Sequence, residues 1–408
     1  RSRVAYSVFT VLAIMFIDTA GALYAGGLVI SNIIPGFTLW TAVAVLALVA
    51  GVYTILGGLE AVVVTDTVQA ILLCIGAGAI FYFGLQEVGG WSAMVTQVSG
   101  DDLKLIKPTN DDFLPWPGIL GVVLLGFYYW TLNQFVVQRT LGARDLDQGR
   151  KGALFAGLLK LPNLFLMILP GVMAIALFPD LSNPDMVFPT LAAELLPVGF
   201  RGLILTAVIA AIMSSLDSAL NAASTLVSID FVKEAKPDID DDTLVKVGRG
   251  FTAFAMVVGA IYAPMIRSFE NLFEYFQSVL AYVTPPIVAV FIIGIFWKRI
   301  NRHGAFWAIV TGLMVGVPLF LSKEIFGVWT DVGLPEPHFT YMAVLMFGFS
   351  IVVMATISYA TEAPDYERIR NYTFTWEIFE KDLLNVDQPW YADFRYQSAA
   401  LAALMIGT

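Results

Sequence analysis

Apolar positions in this chain come in long unbroken runs rather than in alternation. Runs of about 20 mostly apolar residues, the length that crosses a bilayer core as a helix, fall near 5–30, 38–56, 61–84, 117–137, 152–178, 201–229, 249–266, 271–297, 304–322 and 340–360. Barrel strands would instead alternate with period two over roughly ten residues. Continuous runs with Gly and Pro inside them predict an all-α, polytopic membrane protein. Residues 397–408 begin an eleventh run too short to cross, and Arg1-Ser2-Arg3 stands directly against the first, so both ends read as cut. No basic-then-apolar signal peptide with a small-residue cleavage site is visible. The expectation is one transmembrane domain over 1–408, with an external loop at 86–116 and a polar cytoplasmic loop at 361–396.

Composition narrows the class. Charged residues make up 14% of the chain, against about 25% in soluble domains, which argues against a cytosolic enzyme. A net charge of -10 disfavours holding nucleic acid through its phosphates. The single cysteine, Cys74, lies inside an apolar run, so neither a disulfide framework nor a thiolate metal site is expected.

Charge also orients the spans, because Lys and Arg collect in cytoplasmic loops. If the runs alternate, one face holds Arg1, Arg3, Arg139, Arg144, Arg150, Lys151, Lys233, Lys236, Lys246, Arg249, Lys298, Arg299, Arg302, Arg368, Arg370, Lys381 and Arg395. The other has only Lys104, Lys107, Arg201, Arg267 and Lys323. The first face is therefore cytoplasmic.

Ionisable groups in hydrocarbon cost about 2.5–3.5 kcal/mol on insertion scales and mark functional sites by default. Asp18, Asp66, Lys160 and Asp217 stand out. Lys160 lies about eight residues into its run, roughly 12 Å deep at ~1.5 Å per residue. It reads either as a snorkelling lysine or as a cation offered to hydroxyl or carboxylate oxygens of a solute. In the run 201–229, Ala211, Ser214, Ser215 and Ser218 share one helical face by their spacing, beside Asp217. Such a stripe can simply let helices approach closely, yet its oxygens also suit a hard monovalent cation. Asp66, near the cytoplasmic end of its run, is either solvated or part of that chemistry. Tyr128-Tyr129-Trp130 with Asn133 and Gln134 fits an interfacial belt, or a ring and amides gripping a pyranose. Pro285-Pro286 must disturb the run 271–297. Transporters place sites beside irregular helices, which makes Gln277 a candidate ligand, with an interhelical hydrogen bond as the alternative.

Three motifs in order carry a family resemblance. Tyr53-Thr54-Ile55-Leu56-Gly57-Gly58-Leu59-Glu60-Ala61 with Thr65-Asp66 and Gln69 resembles the Gly-Gly signature of the sodium/solute symporters. Met213-Ser214-Ser215-Leu216-Asp217-Ser218 is similar to that family's sodium-site helix, and Gly294 through Gly304-Ala305, continuing to Gly312, resembles a second family pattern. Within the family the chain is most similar to bacterial sodium/glucose cotransporters. The resemblance implies the LeuT-type inverted-repeat fold without its first helices, the first run here corresponding to the fourth. It implies that Ala211, Ser214 and Ser215 contribute to a sodium site, and that Asp66, Ser214, Asp217 and Ser218 match a second sodium site. It further implies that Tyr129, Trp130, Lys160 and Gln277 bind the solute, with Tyr129 as inner gate. Gly126 stands where a bacterial sugar transporter has asparagine, and Asp217 where animal sugar carriers have a neutral hydroxyl residue.

The implied protein is a multi-pass carrier in the plasma membrane, the inner membrane of a bacterium, that imports a sugar or polyol with Na+ by alternating access. No catalysis and no obligatory protein partner are expected. The alternatives are another small solute, such as an amino acid, sialic acid or other organic acid, and a symporter-like membrane sensor.

Overall fold

Within hydrocarbon a backbone N–H or C=O without a partner costs several kcal/mol, so each apolar run closes its own hydrogen bonds as a helix. The computed structural model of the chain describes residues 2–100, 103–104, 106–111, 113–377, 380 and 389–407. The side chains of 56–65, which carry the Gly-Gly signature with Glu60 and Thr65, lie outside the described residues, as do Arg1, Asp101, Asp102, Asp112 and Lys381. Among the described residues the elements are helical, apart from one bridge between Lys107 and Pro115. This bears out the all-α expectation.

Six helices are long and apolar enough to cross a membrane: Ser2–Ile33, Asp66–Val88, Val198–Lys233, Asp241–Ser268, Arg302–Ile325 and Phe339–Ala360. Two further crossings are bent pairs, Trp116–Leu132 with Gln134–Leu141 at 44° and Leu272–Val283 with Pro285–Phe296 at 51°. The remaining two predicted runs appear as the shorter apolar helices Leu39–Ile55 and Leu164–Leu177. Pro285-Pro286 breaks its helix as the missing donor requires, the join falling at Thr284.

Helical hydrogen bonding continues from Leu39 to Val88, across what the hydropathy divides into two spans. The neighbours of this helix show two legs of opposite direction. Leu46 meets Ile212 over Gly26 and Thr54 meets Asp217, so the first leg follows Val198–Lys233 in the same sense. Gly76 then lies against Ile204, and Ile80 packs in one cluster with Ile204 and Leu196, so the second leg runs back. The contacts of the two legs therefore run in opposite directions along Val198–Lys233.

The run 152–178 departs from expectation. Its helix Leu146–Leu158 stops, residues 159–162 form a turn, and helix resumes through the π turn Leu164–Ile168 into Leu169–Leu177. Pro162 is the cause: it lacks an N–H, clashes with the preceding turn, and pushes the residue before it away from the α region. Lys160 therefore sits at a helix break rather than within a helix.

The chain's contacts divide into two compact units, Arg1–Tyr6 with Ile106–Leu161 and Gln277–Thr408, and Ser7–Leu105 with Pro162–Phe276. In the first, a Cβ on Gly121 would overlap the backbone of Thr340, so glycine is what permits that approach. The helix Phe394–Gly407 packs on Leu146–Leu158, with Arg150 4.3 Å over the Phe394 ring and Leu401 against Gly157. The Arg395 guanidinium hydrogen-bonds Asp393 and holds that carboxyl below the usual carboxylate range. In the second unit the legs of Leu39–Val88 and the helix Asp241–Ser268 pack around Val198–Lys233.

Asn301 explains the basic motif that follows Trp297. It is 7% exposed, and its side-chain oxygen caps the helix Arg302–Ile325 by accepting from the N–H groups of His303 and Gly304, each at 3.0 Å. Its amide donates to Thr361 Oγ1 at 2.7 Å and to the Glu362 carbonyl at 2.8 Å. Asn301→Ala removes a cap and leaves buried partners unmet, a loss of about 2–4 kcal/mol. The expected outcome is a melting temperature several degrees lower in detergent, followed by tryptophan fluorescence; an unchanged melting curve would remove Asn301 from the stabilising network.

Candidate functional site

The helix Val198–Lys233 passes through the second unit and carries the serine stripe. Ala211 and Ser214 are half-buried, while Ser215 is exposed and its hydroxyl donates to the Ala211 carbonyl at 3.1 Å. Asp217, one position round the helix, is 1% exposed. Its Oδ1 is hydrogen-bonded by the Thr54 hydroxyl, and among the described residues its buried Oδ2 has no hydrogen-bond partner. Ser218 is fully buried next to it. Asp66, on the returning leg, is near enough for its charge to act on Asp217. Two carboxyl groups and a hydroxyl from three stretches of sequence thus converge inside the membrane.

Such an arrangement is costly unless a positive charge meets it. An unpartnered buried carboxylate oxygen carries the full desolvation penalty of a charged group, which a cation or proton removes. Thr54 sharpens the point, since its hydroxyl also contacts the Ala50 carbonyl at 2.8 Å. A carbonyl can only accept, so one hydroxyl proton faces two acceptors. Sequence reasoning missed Thr54, although it stands inside the Gly-Gly signature: a threonine in an apolar run is usually back-bonded to its own helix, and the partner that gives it meaning is 163 residues away. Asp18, the fourth ion singled out by hydropathy, stands in the π turn Ile14–Thr19, which packs on Val198–Lys233, and is within electrostatic range of Tyr275.

A second group of residues assembles in the first unit. The crossing that begins at Trp116 widens into the π turn Tyr128–Leu132 and then breaks at Asn133, whose backbone is extended. The break is buried, Asn133 being 3% exposed, and its polar groups are met: the Tyr6 hydroxyl donates to the Leu132 carbonyl, and Asn133 Oδ1 accepts from Phe135 N at 3.1 Å. The wider turn presents Tyr129 and Trp130 together. Tyr129 stands edge-on to Trp130, with 5.0 Å between ring centres, and to Phe135, with 6.3 Å. Lys160 reaches this pair from its own break, its ammonium 3.8 Å from the centre of the Trp130 ring.

That contact is a cation–π interaction worth about 0.5–1 kcal/mol at an exposed site, and both side chains are exposed. Among the described residues Lys160 has no carboxylate partner, so its three donors remain available to another group. Gln277 lies on Leu272–Val283, half-buried and about two turns before the break at Thr284. Among the described residues no hydrogen bond joins it to Tyr129, Trp130 or Lys160, so the structure assembles three of the four expected solute residues. A Cβ on Gly126 would meet nothing within 4 Å, so there is open room where an asparagine is replaced.

With this geometry in place, comparison with known proteins is informative. The family model described as the sodium:solute symporter family matches residues 1–312. The rabbit (Oryctolagus cuniculus) sodium/glucose cotransporter 1 is 30% identical over 431 residues, covering 93% of this chain and 64% of that protein. The human (Homo sapiens) sodium/myo-inositol cotransporter 2 is 32% identical over 419 residues, covering 92% and 62%. This chain therefore spans somewhat less than two thirds of the length of these relatives. A solved Na+-coupled sialic acid symporter, in a substrate-bound outward-open state, superposes with a TM-score of 0.68 at 22% identity, covering 90% of this chain and 75% of that one. That likeness establishes the LeuT-type fold. Match, relatives and fold agree with the multiple spans and the serine helix: this multi-pass membrane chain belongs to the sodium:solute symporter family.

Proposed function

We propose that this chain is the ion- and solute-handling part of a sodium-coupled secondary symporter of the plasma membrane, which imports a sugar or polyol by alternating access. The observation that carries the reading is Asp217: a buried carboxylate with an unmet oxygen, held by Thr54 and facing the charge of Asp66. Sodium at Asp66, Ser214, Asp217 and Ser218 would neutralise this cluster. A further sodium at Ala211, Ser214 and Ser215 requires the Ser215 hydroxyl proton to turn away from the Ala211 carbonyl, freeing both oxygens.

The solute side rests on the exposed Trp130 face, the Tyr129 ring beside it and the ammonium of Lys160. Pyranose C–H groups stack on a flat ring, while hydroxyl oxygens accept from an ammonium, and leaving the Trp130 contact costs Lys160 little. Gln277 is proposed to join from its half-helix once solute is bound, and Tyr129 to swing away for inward release. Names of the relatives, glucose and myo-inositol cotransporters, support this cargo class. Each sodium that moves inward releases about 2.3 kcal/mol per 100 mV, and linkage requires solute to raise sodium affinity as much as sodium raises solute affinity.

A second cargo reading has its own support. Lys160 lacks a carboxylate among the described residues, so an organic acid would complete an ion pair there, and the structural relative is named for sialic acid. Competition of labelled sugar uptake by unlabelled sugars and by sialic or amino acids separates the two.

The full-length protein is expected to take up solute at least tenfold faster in sodium than in choline; equal uptake in both would remove the coupling. Ser215→Ala is expected to raise the half-saturating sodium concentration about tenfold, the worth of one charge-assisted contact, with little change in solute KM at saturating sodium. Lys160→Ala should show the reverse pattern, a solute KM raised about tenfold with sodium dependence retained. If both variants keep wild-type kinetics, the proposed residues are not the binding sites.

A further inference from the structure

A cavity of about 510 Å³ opens beside Thr54, between the end of Leu39–Ile55 and the helices Val198–Lys233 and Asp241–Ser268, with Asp217 behind Thr54 rather than in its wall. Water takes up about 30 Å³ per molecule in the liquid, so the space admits on the order of ten waters. Thr54 belongs to both places: it lines the cavity, and its hydroxyl holds Asp217 Oδ1. No other described side chain both bonds Asp217 and lines this space.

The wall is rich in hydroxyls, and these are bonded back to backbone carbonyls. Ser224 and Thr225 donate to the Asn221 carbonyl, at 3.1 and 2.8 Å. Ser228 donates to the Leu244 carbonyl at 3.3 Å and Thr252 to the Gly248 carbonyl at 3.0 Å. Carbonyls cannot donate, so in each pair the hydroxyl proton is spent on the backbone and what remains is lone pairs. A cavity whose hydroxyl protons point into the walls offers acceptors to its contents. It stabilises a cation with its waters and gives an anion nothing to accept from these groups. Two cations, Lys233 and Arg249, also line the space. Lys233 pairs with Asp241 at 3.9 Å, and both cations are exposed, so water and salt weaken their repulsion of a hydrated cation.

We infer that this cavity is the inner vestibule through which the cation held at Asp217 is hydrated and released, with Thr54 as the group it passes. The unmet Oδ2 of Asp217 is the ion's point of departure, the Thr54 oxygen its first replacement ligand, and the oxygens of Ser224, Thr225 and Ser228 the next. Exit then proceeds through exchange of one oxygen ligand for another, with no bare carboxylate left behind until water has entered. The inference rests on the sodium-symport reading of the site and adds the route.

The test places a fixed positive charge in the vestibule of the folded, full-length carrier. Cys74 is replaced by alanine, since it is exposed, and Val245→Cys is added, at an exposed lining position that supplies no ligand. Inside-out vesicles are treated with aminoethyl methanethiosulfonate, which leaves a cationic adduct, or methyl methanethiosulfonate, which leaves a small neutral one. Labelling is verified by mass spectrometry. The cationic adduct is expected to lower net sodium-driven uptake at least fivefold, because each cycle needs sodium to leave. Solute exchange with saturating sodium on both sides, which needs no sodium release, should fall less than twofold, and the neutral adduct should change either rate less than twofold. The vestibule is overturned if the verified cationic adduct leaves net uptake within twofold of the unlabelled protein, or if net uptake and exchange fall by the same factor. Should the unlabelled protein take up solute equally in choline, the symport reading itself falls and the route with it.

Discussion

Every backbone polar group of a membrane-embedded chain must find its partner within the protein, and the position of the few breaks in helical hydrogen bonding follows from that constraint. Three breaks matter. At Asn133 the tyrosine of another span, Tyr6, supplies the donor for the Leu132 carbonyl. At Thr284 the hydroxyl returns to the Leu280 carbonyl at 2.8 Å, and the following prolines need no acceptor. At 159–162 the chain forms local turns, with Lys160 N donating to the Gly157 carbonyl at 3.1 Å. Two of the breaks stand next to residues proposed to handle solute, Tyr129 with Trp130 and Lys160, and Gln277 lies about two turns before the third. A straight helix points its side chains along fixed stripes; a break frees them to converge.

The proposed cation cluster uses the opposite strategy. Val198–Lys233 is unbroken through Asp217, and the irregularity is supplied by electrostatics. A carboxylate is buried against a threonine with one oxygen left over, which a bilayer tolerates only if a positive charge is often there. The hydroxyls below it are turned so that their protons satisfy the helices and their lone pairs face the cavity. Small polar residues that on hydropathy alone could be mere spacers between helices acquire a direction once their donors are accounted for.

Several features were legible from residue pattern. The ten apolar runs reappear as six straight crossings, two bent pairs and two shorter apolar helices, and Pro285-Pro286 announced the bend at Thr284 because the chemistry of proline is local. Pro162 carried the same signal, yet the apolar length of 152–178 concealed the break beside it. The break at Asn133 had no local cause to find: Thr131-Leu132-Asn133-Gln134 contains neither Gly nor Pro, and the Tyr6 donor that makes it tolerable comes from 126 residues away.

Sequence by itself determined the solvent, the helices and the rank of suspicious ions, because hydropathy and proline act within a few residues of where they stand. Tertiary structure alone decided which of those ions meet. It set Asp217 against Thr54 and within reach of Asp66, and laid Lys160 on Trp130. The physical reason is that an ion or hydroxyl inside a membrane is defined by its nearest opposite partner, and that partner is a matter of ångströms in space rather than of spacing along the chain.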